Sequence, residues 1–377
     1  MTTQRVMALL GRRDEPTDAV EEYCKHFGSA LEAHGFRVEI RRIPWELQGW
    51  PHAIDDLRLE VASWCNTWVF VQYTALAWSA RGFPIRFLRL LRILHSVRAR
   101  VGVIFHDVEP WPGARLIDRI RRLTQVRTMR QAVDLADLAI FTVPIERISW
   151  LSRSPSKATF LPVGPNLPIS SRVTVGHSES GFNSRSEATP HICVFSITGG
   201  ASGVRETSEI LSAVRFASEK LGKLRLSVFG RNAETYESRL REGLRGLPVE
   251  LSVEGLLDGA QVIERLFASD VLLFVRGAIS TRRGSAIAGI ACGLPVIAYS
   301  GSETGPPITD AGVALVPFAQ DESSRQNQLN LSLARVLSDP AYRAALRERS
   351  RRAYEEHFSW PSIASGLARV LESRSAV

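Results

Sequence analysis

Short, continuously apolar runs alternate with helix-patterned segments along most of this 377-residue chain, and the series runs twice. QRVMALLG (4–11) precedes AVEEYCKHFGSALEAHG, a segment of 3.6-residue periodicity with Thr17 and Asp18 as N-caps and a closing glycine. The alternating FRVEIRRI follows. TWVFVQY, VGVIFHD and LAIFTV continue as strands around the basic helices PIRFLRLLRILHSVRAR and RLIDRIRRLTQVRTMRQAVDLA, and KATFLPVG closes this half. After residue 190 the pattern restarts. HICVFSI, LRLSVFG, VELSVEG, DVLLFV, LPVIAYS and GVALVP read as strands, with helices between most of them and three more after the last. Such alternation predicts an α/β class of two doubly wound, Rossmann-like domains facing a cleft. PISSRVTVGHSESGFNSRSEATP (168–190) is serine-rich and aperiodic, which marks a linker. The expected division is 1–170, a linker over 171–190, and 191–357.

Ligands of open α/β sheets bind at the carboxyl ends of strands. The loops that matter are therefore GRRD (11–14), HDVEP (106–110), GGASG (199–203), FGRN (229–232), RGAISTRRGS (276–285) and GSETGPP (301–307).

Composition removes several classes. Cys24, Cys65, Cys193 and Cys292 stand far apart, without metal or redox spacing, as reduced thiols would. The first apolar run is too short for a signal peptide, and VASWCNTWVFVQYTALAW, the nearest approach to a span, is interrupted by Asn66, Thr67, Gln72 and Thr74. The expectation is a cytoplasmic protein. Its net charge of +8 is carried almost wholly by arginine, and arginines crowd residues 81–130 against only Asp107, Glu109 and Asp118. That excess implies an anionic partner. No aromatic-interleaved basic motif argues for nucleic acid. In PIRFLRLLRILHSVR, Ile85, Leu88, Leu91 and Leu94 share one face beside a ridge of Arg86, Arg89 and Arg92. The basic helices over 84–100 and 115–130 are thus candidates for peripheral contact with an anionic membrane surface, or ordinary surface helices of an arginine-rich protein.

TRRGSAIAGIACGLPVIAY (281–299) leaves two readings open: a ligand-binding helix start, or a packed core helix with a charge pair at its mouth. The surrounding residues carry a resemblance. VFSITGGASGVRETSEILSAV, LRLSVFG, VEGLL, LFASDVLLFV, GSAIAGIACGLPVIAY and EEHFSWPSIA follow one another as in the retaining glycosyltransferases of GT-B fold, family four type. ADLAIFTV with LPVGPNLP resembles the run before that family's interdomain linker, and the similarity is strongest over 191–320. The resemblance implies transfer from a nucleotide diphosphate sugar to a saccharide or lipid-linked saccharide, retaining and metal-independent, as in surface polysaccharide assembly. It also implies that the last helix, about 358–377, packs back on the first domain. One departure is plain. The family's two glutamates around the donor-site helix fall on Ser280 and Ala288, and an Arg-Arg-Gly-Ser turn stands there, similar to that of a subset of these transferases.

A leaving nucleoside diphosphate needs its growing negative charge met by cations and helix N-terminal amides. Arg282 and Arg283, with Gly284 and Ser285 at a helix start, offer both. The resemblance adds Gly199, Gly200, Arg205, Gly230, Arg231, Gly255 and Ser280 to the donor side. It adds the turn Gly11, Arg12 and Arg13 of the first domain, an ordinary surface turn otherwise. His106 and Asp107, ending a strand, are catalytic candidates with Arg282: a histidine that holds sugar or acceptor and an aspartate that orients it. Charge pairing with the basic neighbourhood is the alternative for Asp107 and Glu109. Gln72 and Tyr73 are acceptor-pocket candidates. Two rival functions remain, a catalytically silent binding subunit and a sugar-nucleotide epimerase.

Overall fold

The computed structural model describes residues 3–111, 113–151, 156–169, 189–318 and 321–375; most of the expected linker lies outside them. The chain forms two compact units, Met1–Val163 with Trp360–Val377, and Gly164–Ser359.

In unit 1 the elements are β1 (Gln4–Leu10), α1 (Ala19–Glu32), β2 (Phe36–Arg42), α2 (Trp45–Val61), β3 (Trp68–Tyr73), α3 (Ile85–Ser96), β4 (Arg100–Phe105), α4 (Leu116–Leu135), β5 (Leu138–Phe141) and β6 (Ala158–Phe160). Their strands form one parallel sheet in the order β2-β1-β3-β4-β5-β6. Helices cover both faces, so the inner strand β3 is buried along its whole length, whereas the edge strand β2 buries only Phe36 fully. Asp18 starts α1 by accepting from the backbone N–H groups of Val20 and Glu21. The sequence pattern gives no sign of α2. Gly49 at φ +80° and Pro51 interrupt it, and only its second half, with Ala53, Ile54, Leu57 and Val61 buried, keeps helical spacing.

The two basic helices differ. In α3 the buried face is Phe87, Leu88, Leu90, Leu91, Ile93 and Leu94; Ile85, expected on that face, is exposed because it begins the helix. In α4 only the second half is buried, through Gln125, Thr128, Met129, Ala132 and Val133.

Unit 2 contains β7 (His191–Phe195), α5 (Gly200–Leu221), β8 (Leu224–Phe229), α6 (Glu237–Gly243), β9 (Val249–Glu254), α7 (Gly259–Phe267), β10 (Val271–Ala278), α8 (Gly284–Ala291), β11 (Val296–Ser300), β12 (Val313–Pro317), α9 (Glu322–Ser338) and α10 (Pro340–Ala353). Its parallel sheet runs β12-β11-β10-β7-β8-β9. The small residues of α8 let it press on the sheet: a Cβ on Gly289 would stand 2.5 Å from the Leu272 side chain. A π-helical turn, Tyr354–Phe358, precedes α11 (Trp360–Ser375). α11 belongs to unit 1 and packs on α1, where Trp360 meets Tyr23 edge-on and stacks on His26.

Candidate functional site

Each sheet has one place where strand order reverses: β1/β3 in unit 1 and β7/β10 in unit 2. Those are the positions where a crevice can open at the carboxyl ends.

In unit 1 the position is filled. Gly11 lies so close to the loop after β3 that a Cβ would stand 2.2 Å from the Ala77 carbonyl oxygen. The Arg12 N–H and the Trp45 indole N–H both donate to that oxygen, at 2.8 Å each. Arg42 donates to the Gly11 carbonyl, and the Arg12 side chain pairs with Glu46 at 3.0 Å. The glycine is there for its own chain. One strand further, His106 Nε2 lies 2.9 Å from Gln72 Oε1, while the Gln72 amide nitrogen donates to the Phe70 carbonyl. With the amide so oriented its oxygen must accept, which places a proton on Nε2 of His106. Tyr23 meets the His106 ring edge-on at 4.9 Å. Asp107 Oδ2 accepts from the Ala75 N–H at 3.2 Å and shapes the same loop. Tyr73 is fully buried between Phe87 and Phe105, so the structure assigns it to the core rather than to an acceptor pocket. Gln72 is likewise buried and acts on His106 instead of on solvent. Glu109 accepts from the Ser149 hydroxyl at 3.2 Å.

In unit 2 the two strands part. β7 pairs with β10 only at Ile192–Val271 and Cys193–Leu272, although both strands continue. The chain after β7 leans the other way: Ser196, at φ +69°, donates to the Phe229 carbonyl, and Ile197 to that of Arg231. Asn232 holds the Ile197 carbonyl, and buried Glu206 accepts from the Thr198 N–H at 2.7 Å. Gly230 (φ +92°) and Gly255 join through a backbone hydrogen bond of 2.8 Å. Added Cβ atoms there would meet Ser196 Oγ and the Glu234 carboxylate, so both glycines serve loop packing. Gly200 (φ +65°) and Gly284 are different. A Cβ on either meets nothing within 4 Å, and each stands at a helix start with no side-chain cap.

The arginine turn is only partly exposed. Ser280 and Thr281 are fully buried, and so is Ala288 on α8, which leaves no room for the family's carboxylates at 280 and 288. A carboxylate comes from elsewhere. Glu303, in the loop after β11, grips Arg282 with two 2.8 Å contacts to its Nε and terminal nitrogen. Burial raises the Glu303 carboxyl, but Arg282 outweighs it and holds the group below its ordinary 4.5. Arg282 is thereby committed to the turn. Arg283 N-caps α8 with Ser285 one residue past Gly284, and its terminal nitrogen faces the Gly277 Cβ position. Arg205, exposed on α5, acts electrostatically on Glu209, the partner of Arg325. Arg276, which sequence reading leaves within a loop range, stands within electrostatic reach of Arg231 and Glu206. Its signal was the only cation in the run DVLLFVRGA.

The sequence matches no family model and no curated protein. Solved structures do match. A glycosyltransferase from Rickettsia africae superposes with a TM-score of 0.64 at 12% identity, covering 99% of each chain. HepE of Anabaena, solved with UDP and glucose, gives 0.61 at 13%, over 98% of this chain and 100% of that one. A putative UDP-N-acetylglucosamine 2-epimerase from Listeria monocytogenes gives 0.62 at 11%, over 100% and 97%. The fold is GT-B.

Proposed function

We propose that this protein is a glycosyltransferase that takes a sugar from a nucleoside-diphosphate sugar and passes it to a saccharide or lipid-linked saccharide hydroxyl. The observation that carries the reading is the open β7/β10 position of unit 2, ringed by Arg231, Arg276 and Arg283 and by the uncapped helix starts at Gly200 and Gly284. The bond from the anomeric carbon to the β-phosphate oxygen breaks, the acceptor oxygen bonds that carbon, and the acceptor proton leaves with a phosphate oxygen or a base. Charge grows on the diphosphate, and fixed guanidinium and amide groups meet it there. Metal independence and retention belong to the same proposal. His106, oriented by Gln72, is the unit 1 candidate to meet a sugar or acceptor hydroxyl. The likeness to HepE, which holds UDP and glucose, supports the donor class.

The epimerase reading draws support from the Listeria likeness. Calorimetry with UDP, GDP and TDP, followed by product mass after incubation with donor sugars, separates the two: sugar on a new acceptor marks a transferase, an isomerised nucleotide sugar an epimerase. No nucleotide binding at millimolar concentration removes both. Nucleotide binding without turnover favours the silent subunit.

Peripheral membrane contact is the finer part of the proposal, and its centre shifts to α4. Leu116 and Leu123 are 75% and 72% exposed, with Ile117, Ile120 and Trp111 also outward and Arg115, Arg119 and Arg122 around them. Arg121 crosses the Trp111 ring at 5.3 Å. Apolar side chains set among arginines suit an anionic lipid surface, each charge contributing about 1 kcal/mol. Flotation with anionic vesicles should fall more for Leu116→Asn/Leu123→Asn than for charge reversal at Arg86, Arg89 and Arg92.

A further inference from the structure

β10 does not run regularly to its end. It pairs with β11 from Leu272 to Phe274, slips, and pairs again only at Ala278 with Tyr299. Arg276 sits inside that bulge, beside Gly277 at φ +75°. Bulges re-aim a side chain, and they gather near active sites. Here the bulge lies past the last β7 partner of β10, where the sheet has opened.

The electrostatics of this residue are incomplete. Arg276 Nε is shielded from solvent without a hydrogen-bond partner, and no hydrogen bond or ion pair joins the guanidinium to a described residue. Glu206, the acid that acts on it, already accepts from the Thr198 N–H. Burial lowers the Arg276 pKa, Glu206 opposes that, and Arg231 adds to it. A desolvated cation beside a second cation is an unfavourable arrangement by itself. Arg282, in the turn that follows, is neutralised by Glu303.

We propose that Arg276, aimed by the β10 bulge, is the principal side chain that binds the diphosphate of the ligand in unit 2, in place of Arg282. The assignment rests on the transferase reading for the identity of the ligand, and on this geometry for the residue. The anion completes a charge pair that the fold leaves open, and Arg231 supports it from the loop after β8. The unpaired cation costs the ligand-free protein stability, and the ligand supplies its partner.

The test uses the full chain, with inorganic pyrophosphate and UDP titrated by calorimetry and thermal melting of the ligand-free protein. Wild type should bind both. Arg276→Met should weaken both by about 10- to 100-fold, the range for losing charged hydrogen bonds, while its ligand-free melting temperature is equal or higher. Arg276→Gln, which keeps a polar group there, should show the same loss and stands in if the Met variant fails to fold. A folded Met or Gln variant with wild-type affinity overturns the assignment and leaves the transferase reading standing. A large fall in melting temperature for both variants makes Arg276 structural and also overturns it. Wild type that binds neither ligand removes both ideas together.

Discussion

The two strand reversals of this molecule are built alike and finished differently. At β1/β3 the backbone closes the gap itself: the Ala77 carbonyl enters the space beside Gly11 and collects two donors. At β7/β10 the strands separate, and the loop after β7 is tied to the β8 side. A glycine in the first place admits the protein's own chain, whereas Gly200 and Gly284 in the second border empty space. The contrast teaches that a glycine-rich turn at a carboxyl edge does not by itself mark a phosphate site. What distinguishes a ligand site is space together with charge that the protein leaves uncompensated.

The largest test of this contrast is Gly11→Ala. The new methyl must displace backbone, so we expect a loss of about 3 kcal/mol, read by urea denaturation, with nucleotide binding retained by molecules that fold. Wild-type stability would mean that the first gap is open after all. Next is Glu303→Gln, which strands Arg282 in a partly buried position and should cost about 2 kcal/mol. The sign with pH follows from the lowered Glu303 carboxyl. Its stabilising share is present above the unfolded value of 4.5 and is lost as pH falls through the folded value. The stability gap between wild type and Glu303→Gln should therefore be full at pH 7 and shrink below pH 4.5. A gap independent of pH would detach the effect from the ion pair. Smallest is Gly284→Ala, which should change stability by no more than about 0.5 kcal/mol. It should nonetheless weaken pyrophosphate, because the methyl stands at a helix start facing open space. Unchanged pyrophosphate affinity would take that helix start out of the site.

Sheets and helices were largely legible because buried parallel strands must be continuously apolar, as TWVFVQY and VGVIFHD are. The helix α2 was hidden by Gly49 and Pro51, which break its period at the amino end. The arginine turn was legible as a helix start, but its charge balance was not. Glu303 reaches Arg282 from 21 residues away because β10 and β11 are neighbours whose ends meet in space. Arg276 escaped notice for a related reason: a bulge has no sequence period, and it turns a strand residue toward a crevice. Gln72 and Tyr73 looked like pocket residues because they end a strand, yet both are buried, and the Trp78 indole from the loop that follows donates to the Gln72 carbonyl.

Unit 1 is not a continuous stretch of chain. On the ribosome, the surface of α1 that carries Tyr23 and Phe27 emerges early, and Trp360, which covers it, emerges only after all of Gly164–Ser359. Unit 1 can therefore be completed only after every residue of unit 2 has been synthesised.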